Sequence, residues 1–151
     1  MIKITYNEVL ERQKQLGCFH SGLHTCSAIA TAYWLCHVRE ELQEMEDSPS
    51  MEELADVLIF YQNMSFCCCF ELDTFELDLR AYSKEWPTLE QIAWNRKHWK
   101  KYPQPTVTAI TSWFKNLYFR YYDEDQILDF EQTYERKMLY NETRTDWNLV
   151  R

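Results

Sequence analysis

Gly17 and Gly22 are the only glycines in 151 residues, and Pro49, Pro87, Pro103 and Pro105 are the only prolines. Glycine and proline end helices and build tight turns. A chain with so few of them favours long helices over a many-turned β sandwich. Its length suits a single domain, residues 1–151, large enough to bury a core. With 46% hydrophobic and 16% aromatic residues it has the apolar surface to fill that core. The expected fold is an all-α helical bundle.

Apolar spacing places the helices. Residues 5–16 read as the first, with Val9, Leu10, Gln13 and Leu16 near one stripe. The segment "LGCFHSGLHTCS" (16–27) carries both glycines and breaks the pattern. From Ala28 to about Glu46, the residues Ala28, Ala32, Leu35, Leu42 and Met45 form a core face, beside a stripe of Trp34, His37, Glu41 and Glu44. "DSPS" then stops the helix. The next runs from Pro49 to about Phe70, and its start has two readings. Either Ser48 caps it with Pro49 at the first position, or Ser50 caps it with Glu53 as capping-box partner. Its stripe Glu53, Asp56, Phe60 and Asn63 mirrors the acidic stripe before it. Residues 71–86 read as more helix, 86–105 as a short helix ending before Pro103, 106–121 as another, and 123–144 as the last.

Charge and composition narrow the function. A net charge of -8 argues against broad nucleic-acid binding, which needs a basic face, but permits one nucleotide held through bridging metal ions. No run of about 18 apolar residues exists to span a membrane, and no charged-then-apolar leader opens the chain. Cys67, Cys68 and Cys69 are contiguous, so the six cysteines read as reduced thiols packed as small apolar groups in a cytoplasmic protein. Cys18, His20, His24 and Cys26 imitate a zinc site, but their spacing matches no standard finger.

The segment "REELQEMEDSPSMEELAD", residues 39–56, holds eight carboxylates. Two pairs are spaced by three: Glu41 with Glu44, and Glu53 with Asp56. That spacing puts each pair on one helix face. Only eight residues separate Glu44 from Glu53, which allows a tight antiparallel hairpin with four carboxylates at its closed end. Like charges on one face are unfavourable, and Gln or Lys would avoid the cost. Hard oxygen ligands without His or Cys suit Mg²⁺, with Mn²⁺ as a substitute. The plainer reading is a solvated acidic turn between two helices.

These residues resemble the all-α nucleoside triphosphate pyrophosphohydrolases, which include MazG proteins and the dimeric dUTPases. The family pattern is Glu-Glu-x-x-Glu, a connection, then Glu-x-x-Asp. Here it reads "EELQE" (Glu40–Glu44) and "EELAD" (Glu52–Asp56). "EELADVLIFYQNM" is similar to the metal-binding helix of dimeric dUTPases and of phage dCTPase-dUTPases, with Phe60 and Asn63 at matching positions. Ile59 stands where a His is common. A second run, "YERKMLYNETRTDW", is similar to the Lys-x-x-x-Asn-x-x-Arg-x-Asp end of that core, through Lys137, Asn141, Arg144 and Asp146. The Trp/Lys segment that dimeric dUTPases place between the acidic pairs is missing there. The resemblance covers residues 40–64 and 134–147.

The resemblance implies a dimeric or tetrameric bundle that hydrolyses a deoxynucleoside triphosphate to the monophosphate and diphosphate. Glu41, Glu44, Glu53 and Asp56 would hold Mg²⁺ and do the catalytic work, with Glu44 the candidate to orient or deprotonate the water. Lys137, Asn141 and Arg144 would bind phosphates. They share one helical stripe, which otherwise reads as a salt-bridged surface with Glu135 and Glu142. Phe60 and Asn63, and by position alone Trp34 and Gln13, would contact base and sugar. dUTP is the expected substrate, then dCTP, in the cytoplasm, or the host cytoplasm if the chain is phage-encoded. The rivals are a MazG-like enzyme for another nucleotide such as a purine dNTP, a catalytically silent nucleotide-binding or interaction module, and an acidic interaction protein with no ligand.

Overall fold

The computed structural model describes residues 1–15, 28–68, 72–81, 87–93 and 107–143, the side chains of 13–15 and 142–143 excepted. In chain order the elements are β1 (Ile2–Thr5), α1 (Tyr6–Gln15), α2 (Ala28–Asp47), α3 (Met51–Cys68), β2 (Thr74–Leu77), α4 (Leu89–Ala93), α5 (Val107–Tyr121) and α6 (Ile127–Thr143). A 3-10 turn at Glu124–Gln126 leads into α6. The fold is mostly helical, as the scarcity of breakers predicts. No helix among the described residues is long and apolar enough to cross a membrane.

Helix α3 is the centre of the packing. From Leu54 to Cys68 every residue is buried except Asp56. A helix apolar on all sides has to be surrounded, and α1, α2, α4, α5 and α6 all pack on it. Its polar groups mostly find partners inside. Ser65 Oγ donates to the Tyr61 carbonyl at 2.7 Å, Asn63 Nδ2 to the Ile59 carbonyl at 3.0 Å, and the Tyr134 hydroxyl to Gln62 Oε1 at 2.8 Å. Cys67 and Cys68 are buried, in line with their reading as small apolar groups.

Between α2 and α3 lie only residues 48–50, so the two run antiparallel. Of the two expected caps the structure uses Ser50: its Oγ accepts from the Glu53 N–H at 3.1 Å, and its carbonyl from the Leu54 N–H at 3.0 Å. The buried face of α2 is turned from the expected one. Ala30, Thr31, Trp34, Leu35, Val38 and Met45 are buried, whereas Ala28, Ala32 and Leu42 are half-buried. Trp34 therefore belongs to the core side of the helix.

One expectation is overturned: residues 74–77 form a strand where more helix was expected, and it pairs with a strand at 2–5, after which the first helix, expected over 5–16, runs from Tyr6 to Gln15. The strands pair antiparallel, Ile2 opposite Leu77 and Ile4 opposite Phe75, with all four side chains buried. Lys3 and Glu76, on the outward face, pair at 3.4 Å. Thr5 ends β1 and caps α1: its Oγ1 accepts from the Glu8 N–H at 3.2 Å, and Glu8 Oε2 accepts from the Thr5 N–H at 2.7 Å. This reciprocal capping box sets the turn from strand to helix.

The last helix is anchored by an apolar stripe. Ile127, Phe130 and Tyr134 are buried, and Met138 packs on the core. Asp123 caps the preceding turn by accepting from the Asp125 N–H at 3.0 Å. Of the short helix expected over 86–105, α4 is seen. Residues 94–106 lie outside the described residues, as does the whole 16–27 segment with Cys18, His20, His24 and Cys26.

Candidate metal centre

The α2–α3 hairpin brings the two acidic stripes face to face. Glu41 comes from the last third of α2, and Glu53 and Asp56 from the first two turns of α3. One oxygen from each of these three carboxylates lies within 4.8 Å of the other two. Two oxygens on opposite sides of a Mg²⁺ ion stand about 4.2 Å apart, so small side-chain rotations close the set around a cation. Glu41 Oε2 and Glu53 Oε2 are buried and receive no hydrogen bond. A buried carboxylate oxygen without a donor is costly, and a divalent cation is the partner that such a set of oxygens fits. The donors are all hard oxygens, which suits Mg²⁺ or Mn²⁺.

The fourth expected ligand, Glu44, is exposed and lies outside this triple. It is close enough to act on it electrostatically. The Glu41 carboxyl is pushed up to about 8, first by burial, then by the charges of Asp56 and Glu44. Glu53 is raised as well, by burial first and then by Glu44. Burial and the neighbouring carboxylates together hold both carboxyls above their ordinary range.

Lys137 is the one cation in contact with the triple among the described residues. Its Nζ lies 3.2 Å from Asp56 Oδ2. Its partner is thus Asp56, not the Glu135 of its own helix. Asn141, one turn further along α6, is buried, and Arg144 lies outside the described residues. Lys137 reaches the acidic hairpin because α6 packs along α3.

The expected base-contacting residues lie further along the same seam. Trp34 has no exposed surface, and its ring centroid is 6.1 Å from that of Phe60. Phe60 and Asn63 are also buried, and Asn63 gives its amide to the Ile59 carbonyl. Gln13 lies on α1, its side chain outside the described set. In this chain Trp34, Phe60 and Asn63 are packed as core.

Two residues near the site had no role in the sequence reading. His37 stacks on Phe60, with centroids 5.1 Å apart and planes 14° from parallel, one turn before Glu41 on α2. Its place on the acidic stripe was the signal for it. Arg12 is buried on α1, with Nη1 on Met138 Sδ, beside Lys137 in sequence. Its only local sign is the three-residue spacing from Val9, which is also buried.

Comparisons with protein-family models, with curated proteins and with solved structures found no match for this chain.

Proposed function

We propose that this chain is a Mg²⁺-dependent deoxynucleoside triphosphate pyrophosphohydrolase of the MazG and dimeric dUTPase type, with dUTP preferred and dCTP next, working as a dimer or tetramer. The observation that carries the reading is the contact of Lys137 with Asp56. The two sequence runs behind the resemblance are 81 residues apart at these positions, yet they meet at 3.2 Å. The contact brings together in space the two runs on which the resemblance rests.

Bound at this centre, divalent ions supply positive charge against a polyphosphate and acidify an attacking water. The side chains divide the remaining work. Glu41, Glu53 and Asp56 hold the ions. Glu44, exposed at the rim, is placed to orient a water and take its proton. Lys137 offers its ammonium to phosphate oxygens, and Asn141 and Arg144 keep in this reading the phosphate-binding roles that the resemblance implies.

A panel of dNTPs and NTPs assayed with Mg²⁺ for release of diphosphate tests the proposal. Turnover of dUTP is the expected result, and no turnover of any of them rejects it. Glu53→Gln and Asp56→Asn keep side-chain shape and remove an anionic ligand. Both variants should lose diphosphate release while retaining the helical circular dichroism of the parent, and near-normal turnover in both would sink the ligand assignment. Clear preference for a purine dNTP in the panel would move the chain to the rival reading, a MazG-like enzyme for another nucleotide.

A further inference from the structure

Asp56 takes part in two arrangements at once. One of its oxygens belongs to the converging triple with Glu41 and Glu53, and its Oδ2 is 3.2 Å from Lys137 Nζ. The pair is largely withdrawn from solvent, with side chains 28% exposed for Lys137 and 24% for Asp56. The Lys137 charge also reaches Glu53. A Mg²⁺ ion sits about 2.1 Å from a ligand oxygen. On the oxygen that Lys137 already holds, the two cations would stand no more than about 5 Å apart, well inside the screening distance of about 8 Å in physiological salt. The ammonium and the divalent ion therefore oppose each other at this carboxylate.

We propose that Lys137 is a built-in competitor for the metal centre: it holds Asp56 while no polyphosphate is bound, keeps divalent-cation affinity low, and lets go when a polyphosphate takes up its ammonium. The inference rests on the metal centre of the proposed function but not on any turnover. Lysine suits such a part. Its charge is compact and rides on a flexible stem with rotatable donors, so it can exchange a carboxylate for a phosphate oxygen without a change of backbone. The consequence is coupled binding. If the polyphosphate removes the competitor, it tightens the metal, and by linkage the metal tightens the polyphosphate to the same extent. The centre then fills with metal and substrate together.

The test is calorimetric titration of Mg²⁺ into the full chain without nucleotide, for the parent and for Lys137→Met, Lys137→Gln, Lys137→Arg and Arg136→Gln. Lys137→Met and Lys137→Gln should bind Mg²⁺ at least five-fold more tightly than the parent. Lys137→Gln keeps a hydrogen-bond donor for Asp56, so it serves should the methionine variant fail to fold. Lys137→Arg should stay within two-fold of the parent. So should Arg136→Gln, which removes an exposed neighbouring cation that donates to Thr133 Oγ1 at 3.0 Å. With inorganic triphosphate presented as its Mg²⁺ complex, the order should reverse, Lys137→Gln binding at least ten-fold more weakly than the parent. Unchanged or weaker Mg²⁺ binding in the Lys137→Gln variant overturns the proposal, because Lys137 would then orient Asp56 for the metal. Equal tightening in Arg136→Gln overturns it too, by reducing the effect to net charge. Tight Mg²⁺ binding by these variants with no nucleotide turnover would remove the proposed function and leave this inference standing.

Discussion

Glu41 shows most directly what the site lacks in charge balance. Its carboxyl is held at about 8, above the ordinary glutamate value of 4.5, because it is buried beside Asp56 and Glu44. Between those two values the folded chain keeps a proton that the unfolded chain has released. Its contribution to stability is therefore complete below the unfolded value and is lost as pH rises through the folded one. With divalent ions chelated, the melting temperature should fall from pH 6 to pH 8, and Glu41→Gln should flatten that slope. A slope unchanged in Glu41→Gln would show that the carboxyl is not the group responsible. Ligation requires the carboxylate, so Mg²⁺ binding at pH 7 should release protons and tighten towards pH 8. Calorimetry in buffers of different ionisation enthalpy counts those protons. At the same scale, burial was what the sequence hid. Trp34 and Asn63 have the chemistry of a base contact and the spacing of the acidic stripe, but α2 is turned so that Trp34 has no exposed surface.

At the scale of elements, helices were legible where three- and four-residue spacing was sustained. The α2–α3 hairpin and its facing acidic stripes follow from that spacing and from a connection of three residues. The cap at Ser50 was one of two readings, and only the Oγ contact to the Glu53 N–H decides it. Ser50→Ala should cost about 1 kcal/mol of stability, the usual loss for such a cap. A denaturant midpoint unchanged in that variant would mean the helix start is held by other contacts. The strand pair was not legible. Ile2 and Ile4 give too short an alternation to read, while Leu72, Phe75 and Leu79 sit at spacings of three and four that fit a helix equally well. What makes them strands is their partner, some seventy residues away in the chain, and pairing of that kind leaves no local mark. Phe75 is fully buried in that pair, so Phe75→Ala should lose about 3–5 kcal/mol. Its residual activity per folded molecule should stay near that of the parent, because β2 contributes none of the converging carboxylates.

For the whole molecule, the proposal of a dimer or tetramer makes a separate demand. Sedimentation at micromolar concentration should give at least a dimer, and a strict monomer would reject the assembly while leaving the metal centre intact. The placement of α3 has a consequence that reaches beyond the site. The helix that presents Glu53 and Asp56 is also the one on which five others pack. A chain built this way cannot loosen its ligands without loosening its keel. The backbone amides of α3 should then exchange with solvent deuterium only through opening of the entire fold, at one common rate. A cation that grips the first two turns of that helix would slow the exchange along its full length, out to Cys67 and Cys68, and hydrogen-exchange measurements would register the metal as a property of the whole protein rather than of one end of a hairpin.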